Sequence, residues 1–386
     1  MDALMLSLNW QRVRLGDILS YEQPTKYLVA TTQYLQKGFT PILTAGKTFI
    51  LGYTNDKHGI YTNIPVIIFD DFTTDSKMVN FPFKVKSSAI KILSLRDNNQ
   101  ADLKYIYEKL TLLKHQVTDH KRYWIDEFSN FEILLPPLNE QIAIANILSD
   151  VDHYLYSLDA LILKKESVKK ALRIKMLNQI LASNGVEFRK LGDIGEYIRG
   201  VTYKKNQEIN NLECGIKVLR ANNITLSNHL NFEDIKVINK NVKIRKEQYL
   251  KKNDILICAG NGSSEHIGKV TFINTDFDYV FGGFMGVIRI REVNSRFVYY
   301  IFTSNIFKQY LEKSLNTTTI NNLNANILQN FLIPLPPLNE QIAIANILSA
   351  LDNEITSLKN KKRQFENIKK ALNHDLMSAK IRVLEK

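Results

Sequence analysis

From Leu138 to Leu181 the chain contains neither glycine nor proline, and its apolar residues recur at steps of three and four. Leu148, Leu155, Ile162 and Met176 fall on one heptad position, and Val151, Leu158 and Leu172 on the other. This is the seam of a long helix that packs along another helix. Pro136-Pro137 stops any earlier structure, Asn139 is placed to cap, and Glu140 and Gln141 suit the first turn of a helix. Asn184-Gly185 supplies the stop. Roughly forty residues at about 1.5 Å rise predict a rod of about 60 Å. The same pattern returns later, with Leu348, Ile355 and Leu376 set against Leu351, Leu358, Phe365 and Leu372. Lysines 165, 169, 362 and 369 interrupt both seams, where stems can pack while the ammonium groups reach solvent.

The return is an internal repeat. Residues 135–149 and 335–349 both read LPPLNEQIAIANILS, at an offset of 200. Phe131 and Phe331 precede the two blocks, and Lys169-Lys170-Ala171-Leu172 comes back as Lys369-Lys370-Ala371-Leu372. A second echo, Leu15-Gly16-Asp17-Ile18 and Leu191-Gly192-Asp193-Ile194, has an offset of 176. Repetition of this kind fixes the architecture: two half-units, each a variable globular region followed by one repeated helix.

Both globular regions read as α+β with many short strands. In the first, Pro65–Phe69 is a short apolar run and 81–86 (FPFKVK) alternates as a half-buried strand does, with turn signals at Ala45-Gly46-Lys47, Asn55-Asp56 and Asp97–Asn99. Leu103, Ile106, Tyr107, Leu110 and Leu113 predict a helix within 101–116. In the second, longer by 24 residues, 218–220, 254–257, 269–272 and 287–290 read as strands and Phe297–Leu311 as a helix. Residues 259–264 form a small-residue loop and 317–322 a polar one. If each globular region begins and ends at one place, the second helix runs back along the first. The expectation is an antiparallel coiled-coil pair separating two similar heads about a pseudo-twofold, a single chain that imitates a symmetric dimer. The boundaries are 1–134, 135–185, 186–334 and 335–386.

A length of 386 residues suits two or three domains, and 45% hydrophobic with 23% charged residues is ordinary for a folded protein. The net charge of +12 changes the picture, because a basic surface points to a polyanion, nucleic acid before anionic membrane. Cys214 and Cys258 give no disulfide framework and no thiolate zinc site. The N-terminal residues lack a basic stretch before their apolar ones, and no run approaches a membrane-spanning length, so a cytoplasmic protein is expected.

An adenine methyltransferase needs a cofactor loop and an Asn/Asp-Pro-Pro-aromatic motif; here both Pro-Pro pairs are flanked by leucine, and Phe281-Gly282-Gly283-Phe284 has the wrong spacing. Asp75-Ser76-Lys77 has only Asp70 and Asp71 before it, which suit a strand end better than a metal nuclease. Seven histidines show no ligand spacing. Gly260–Ser264 is not a Walker loop; it reads either as backbone amides that approach phosphate or as a hairpin turn. No catalytic or metal site stands out. Basic heads carrying Arg, Lys, Asn and Gln loops, such as Lys86-Ser87-Ser88 and Arg220–Asn223, suit base-edge contacts at two half-sites. A scaffold or membrane-surface protein without sequence readout is the other reading.

The doubled LPPLxEQxxIAxIL block, the LGD(I) start of each half and the stretch DILICAGNGSSEHIGKV resemble the specificity subunits of type I restriction–modification systems over nearly the whole chain. The segment TPILTAGKTFILGYTN…PVIIFDDFTT…FPFKVKSSAIKIL is similar to one recurrent first target-recognition domain of that family. The resemblance implies a non-catalytic DNA reader, in which each target-recognition domain reads half of a split site. The paired helices set the spacer and dock two modification subunits. It implies no cofactor in this chain: S-adenosylmethionine belongs to the modification subunits, and ATP with Mg to the restriction subunits. The candidate DNA-binding residues are Thr44, Lys47, Lys86, Ser87 and Ser88 in the first head. In the second they are Arg220, Asn222, Asn223, Asn261, Ser263, Ser264, Lys269, Thr318 and Asn321. The candidate docking residues are Leu138, Glu140, Gln141, Ile144, Leu338, Glu340, Gln341 and Ile344.

Overall fold

The computed structural model describes residues 9–44, 46, 48–113, 123–209, 214–260, 266–315 and 323–383. The chain divides into two compact units, Met1–Ala160 with Lys359–Lys386, and Leu161–Leu358.

In the first unit, β1 (Gln11–Arg14) runs through α1 (Leu15–Ile18) into β2 (Leu19–Glu22), β3 (Thr40–Leu43), β4 (Ile50–Thr54), β5 (Val66–Asp70), β6 (Ser76–Val79), β7 (Lys84–Val85) and β8 (Ile90–Leu95). Two helices, α2 (Leu103–Leu112) and α3 (Tyr123–Asp126), precede β9 (Glu132–Leu135). β9 pairs antiparallel with β1, so the chain comes into the head and leaves it side by side. The sheets have the orders β2-β8-β5-β6 and β4-β3-β7, with β3 and β7 parallel. β5 is apolar at successive positions because both its faces are covered. Ile67 and Phe69 enter the core shared with α1, α2 and α3, while Val66 and Ile68 enter a second core with Leu43, Phe83 and Val85.

The alternating reading of 81–86 does not hold. Phe83, Lys84 and Val85 are all buried, and only Lys84–Val85 joins the ladder. Lys84 is tolerated inside because its ammonium donates to Asp56 Oδ2 and His58 O, both at 3.1 Å.

β9 leads into α4 (Leu138–Ala182), 45 residues long. It starts one residue before Asn139, directly behind Pro137, whose carbonyl accepts the Gln141 amide at 3.0 Å. Gly185 lies just past its end at a φ of +88°, the left-handed geometry that glycine takes at a helix stop.

The second head repeats the plan. β10 (Glu187–Lys190) and α5 (Leu191–Ile194) are followed by β11 (Gly195–Arg199), β12 (Glu208–Ile209), β13 (Ile216–Leu219), β14 (Lys236–Ile238), β15 (Ile255–Cys258), β16 (Val270–Phe272), β17 (Tyr279–Phe281) and β18 (Met285–Ile290). Then come α6 (Ser295–Phe302), α7 (Asn305–Leu315), α8 (Ala325–Gln329), β19 (Leu332–Leu335) and the 40-residue α9 (Leu338–Met377). β19 closes on β10 as β9 does on β1. The sheets β11-β18-β15-β16 and β12-β14-β13-β17, with β13 and β17 parallel, repeat the strand orders of the first head, with β12 added at one edge. The two LGDI echoes make the same contact, Leu15 N to Phe131 O at 3.0 Å and Leu191 N to Phe331 O at 2.8 Å. The single helix expected over 297–311 is two. The Thr303 and Ser304 hydroxyls donate back to Tyr300 O and Ile301 O, and Ser304 Oγ then accepts the Ile306 amide that opens α7.

The unit boundaries cut α4 and α9 near their middles, and within each unit the two helices run antiparallel. In the first unit Asp152 pairs with Lys369 and Asp159 with Lys362, both at 2.7 Å, so one partner advances along the chain as the other retreats. In the second, Lys165 meets Glu354 at 2.8 Å and Lys169 meets Asp352. The seam lysines pair with carboxylates of the opposite helix and stay partly exposed. No helix among the described residues is long and apolar enough to cross a membrane.

Candidate nucleic-acid interface

β13 and β17 end side by side because they are parallel, and the residues just beyond the two strand ends border one cleft. Arg220 continues β13, and Gly282-Gly283-Phe284 continues β17. With Arg199, Thr202, Tyr203, Lys205, Asn222 and Lys236 they line a space of about 740 Å³. Four cations (Arg199, Lys205, Arg220, Lys236) face one lining carboxylate, Glu208, so the cleft is electropositive. Arg220 is braced by Asp234 at 2.5 Å and Lys236 by Glu208 at 3.6 Å. Arg199 and Lys205 form no ion pair with any described residue. A second cleft of about 520 Å³ holds Arg199, Arg245, Tyr197, Glu196, Glu247 and Asn324, and Phe284 borders both.

The turn that carries Arg220 and Asn222 is built from inside. Asn223 is buried; its Oδ1 accepts Arg220 N at 2.7 Å and its Nδ2 donates to Asn231 O and Asp234 O. The Lys269 ammonium donates to Ala221 O at 3.0 Å and Ile224 O at 2.6 Å. Burial pushes its pKa below the ordinary lysine value. Asn223 and Lys269, expected at the DNA, are thus internal supports. Arg220 and Asn222 do face the cleft.

The first head has the same junction. Lys86 N donates to Leu43 O at 3.1 Å after β7, as Gly282 N donates to Leu219 O at 2.9 Å after β17. Thr44 and Lys86–Ser88 therefore occupy the places of Arg220 and the glycine turn. Lys86 and Ser88 are exposed, Thr44 and Ser87 half-buried. The Ser88 carbonyl accepts Gln23 Nε2 at 2.9 Å, and Gln23 Oε1 accepts from Lys91, which forms a buried pair with Asp71 at 2.8 Å. Lys47, Asn261, Ser263, Ser264, Thr318 and Asn321 lie outside the described residues, as does most of the 260–264 loop.

The repeated block has a different job from the one expected of several of its residues. Gln141 Oε1 accepts Asp102 N at 2.9 Å, and Gln341 Oε1 accepts Asn294 N at 3.0 Å. Asp102 and Asn294 are the caps of α2 and α6. The two glutamine amides donate to Pro136 O and Pro336 O at 2.8 Å. Ile144 and Ile344 are buried in the head cores. These four side chains lock each head to its own long helix and offer no docking surface. Glu140 is buried under Trp10 and Arg382, whereas Glu340 and Leu338 are exposed and Leu138 is half-buried. Sequence reasoning missed Ile142, Ile342, Val168 and Ile368, two matched pairs at the 200-residue offset, all 39–50% exposed. Recurrence of one exposed apolar position in both copies was the available signal. Among the described residues no cluster of three or more His, Cys, Asp or Glu could hold a metal.

Two α+β heads of like strand order, each feeding a long helix, with a cation-lined cleft at the strand junction of the second, define a two-headed chain with a surface suited to a polyanion. Its kinship is evident from sequence. A family model described as the type I restriction modification DNA specificity domain matches residues 7–165 and again 183–367, and the chain belongs to that family. It is 45% identical over 204 residues to the EcoR124I/EcoR124II specificity subunit of Escherichia coli. That match spans half of this chain and half the length of the relative. It is 26% identical over 415 residues to the MjaVIII specificity subunit of Methanocaldococcus jannaschii, covering 99% of this chain and 95% of that one. The fold is similar to that of the type I restriction–modification S subunit from M. genitalium, with a TM-score of 0.65 at 17% identity and 96% of both chains covered.

Proposed function

We propose that this chain is the sequence-reading subunit of a type I restriction–modification assembly. Each head reads one half of a bipartite duplex site, and the paired helices fix the unread gap between the halves. The observation that carries the reading is the shared junction: in two heads of like topology, unlike polar residues (Thr44, Lys86, Ser88; Arg220, Asn222) stand at the same strand ends. A common mounting with different base-facing chemistry is what two different half-sites require. The cations around the second cleft hold phosphates and set register, and Arg220 and Asn222 carry the guanine- and adenine-matching chemistry.

The chain performs no catalysis itself. Two modification subunits bring S-adenosylmethionine and methylate adenine, and restriction subunits bring ATP and Mg. The matched apolar positions Ile142/Ile342 and Val168/Ile368 give each unit the same exposed features, which suits two identical partners. The test is selection from random duplex pools by this chain, with and without a modification subunit, and then sequencing of the bound fraction. A split consensus with a fixed unread gap is expected. Binding that enriches no sequence in either arm refutes the reading and leaves a charged scaffold.

A further inference from the structure

Phe284 is 74% exposed, and one exposed aromatic means nothing by itself, because folded surfaces carry many. Its mounting is what matters. The turn beneath it is closed by Met285 N to Gly282 O at 2.7 Å and tied to β13 by Gly282 N to Leu219 O at 2.9 Å. The Phe284 carbonyl accepts both Ala259 N and Gly260 N, at 2.9 and 3.0 Å. Gly283 lies so near Thr202 that a Cβ on it would be 3.1 Å from the Oγ1. The backbone under the ring is fixed from three sides while the ring stands in solvent, on the ridge between two clefts. Arg199 borders both clefts, Arg220 and Lys236 line one, and Arg245 lines the other.

The second cleft also holds Glu196 and Glu247, the latter 3.3 Å from Arg245, so the excess of cations lies on one flank, with Arg199 shared by both. An apolar plane on a hydrogen-bonded base beside that cation-lined flank matches a duplex engaged at one base step with its phosphates held chiefly on that side. Apolar side chains so presented enter between base pairs and kink the helix. With the turn hydrogen-bonded to β13 and to Ala259 and Gly260, the DNA is the partner that yields, which favours an easily unstacked pyrimidine–purine step. In the first head the corresponding carbonyl, accepting Asp71 N, belongs to Ala89, so the ring is particular to the second head.

We infer that Phe284 is a wedge whose ring inserts between adjacent base pairs of the half-site read by the second head. This rests on the DNA-reading function proposed above. The test uses the complex of the full chain with its modification subunit, and the duplex recovered by selection with 2-aminopurine placed in turn along the second half-site. Binding of the unaltered protein raises the fluorescence at one step. F284A abolishes that rise and weakens binding by about ten- to a hundredfold, the range for losing one aromatic–base stack. An abasic site at the same step restores most of the lost affinity. F284L, which keeps bulk without aromaticity, retains the rise and shows that the fold is intact. An F284A complex that keeps the rise, or binds within twofold of the parent, overturns the wedge. Failure of the parent to select any split consensus instead overturns the DNA-reading function itself.

Discussion

Replacing Gln141 by methionine keeps the volume of a fully buried side chain and removes its amide. Three hydrogen bonds go with it: Asp102 N at 2.9 Å, Gln100 O at 3.1 Å and Pro136 O at 2.8 Å. The Pro136 bond is buried, so its stranded carbonyl costs about 2 kcal/mol, while the other two groups are part-buried and lose about 1 kcal/mol each. The sum of about 4 kcal/mol is a large share of a domain stability of about 5–15 kcal/mol. Gln341 makes two such bonds, to Asn294 N and Pro336 O, so Gln341→Met should cost about 3 kcal/mol in the second unit. The units can be read separately, because both tryptophans, Trp10 and Trp124, lie in the first. Tryptophan fluorescence in urea should show the Gln141→Met midpoint lowered by about 2 M, taking a slope of about 2 kcal/mol per molar. Gln341→Met should leave that signal nearly in place and shift the circular-dichroism transition instead. A Gln141→Met midpoint within about 0.3 M of the parent would refute the view that this glutamine locks head to helix.

Three further outcomes are expected of other joints in the molecule. Burial alone would raise the Asp152 carboxyl, but the hydrogen bonds and charges of Lys104 and Lys369 outweigh it and hold its pKa below the ordinary value. A lowered carboxylate contributes stability above the unfolded pKa of about 3.9 and loses it as pH falls through the folded one. Asp152→Asn should therefore flatten the acid limb of the first unit's unfolding below about pH 4, and an unchanged limb would show the cluster is not coupled to folding. Lys269→Met removes the donor that holds Ala221 O and Ile224 O. Competition with duplexes altered in one half-site should place its roughly tenfold affinity loss wholly in the half read by the second head. Inserting four residues after Lys165 adds about 6 Å of helix and breaks the register of that segment. Methylation mapping should then show a longer or irregular gap with both half-sites unchanged, and altered half-sites would contradict the ruler.

Whatever has a period or a repeat could be read from sequence. The long helices, β5, β15 and α2 announce themselves because their burial is dictated by spacing. Exceptions arise where a polar group is buried by a partner distant in sequence. Lys84 breaks its strand pattern because Asp56 and His58 wait for it, and Lys269 looks like a loop cation until two carbonyls of the 221–224 turn are found around it. The break between α6 and α7 depends on which way two hydroxyls turn. Phe284 has no periodic context, and Phe281-Gly282-Gly283-Phe284 was informative only as a failed cofactor loop. Thr44, Lys86 and Arg220 were legible as chemistry; that they stand at equivalent strand junctions required the register.

The ion pairs explain why one repeated sequence yields two reciprocal assemblies. The first copy contributes Asp152 and Lys169, and the second contributes Asp352 and Lys369 at the same 200-residue offset. Asp152 meets Lys369 in one unit and Lys169 meets Asp352 in the other, so a single pairing rule, applied twice, fixes the antiparallel register. The same logic closes the cores. Leu376 and Met377 complete the apolar core of the first head, and Leu177 with the partly buried Met176 does so for the second. Each head thus sits on the start of its own helix and the tail of the other. A half-chain would leave both apolar ends uncovered and the lysine and aspartate unpaired, so each head's core is completed by the other half of the chain. Nothing in that joint involves Thr44, Lys86, Arg220 or Phe284. The surfaces that face the clefts are free to differ between heads because every contact that holds a head in place is made elsewhere.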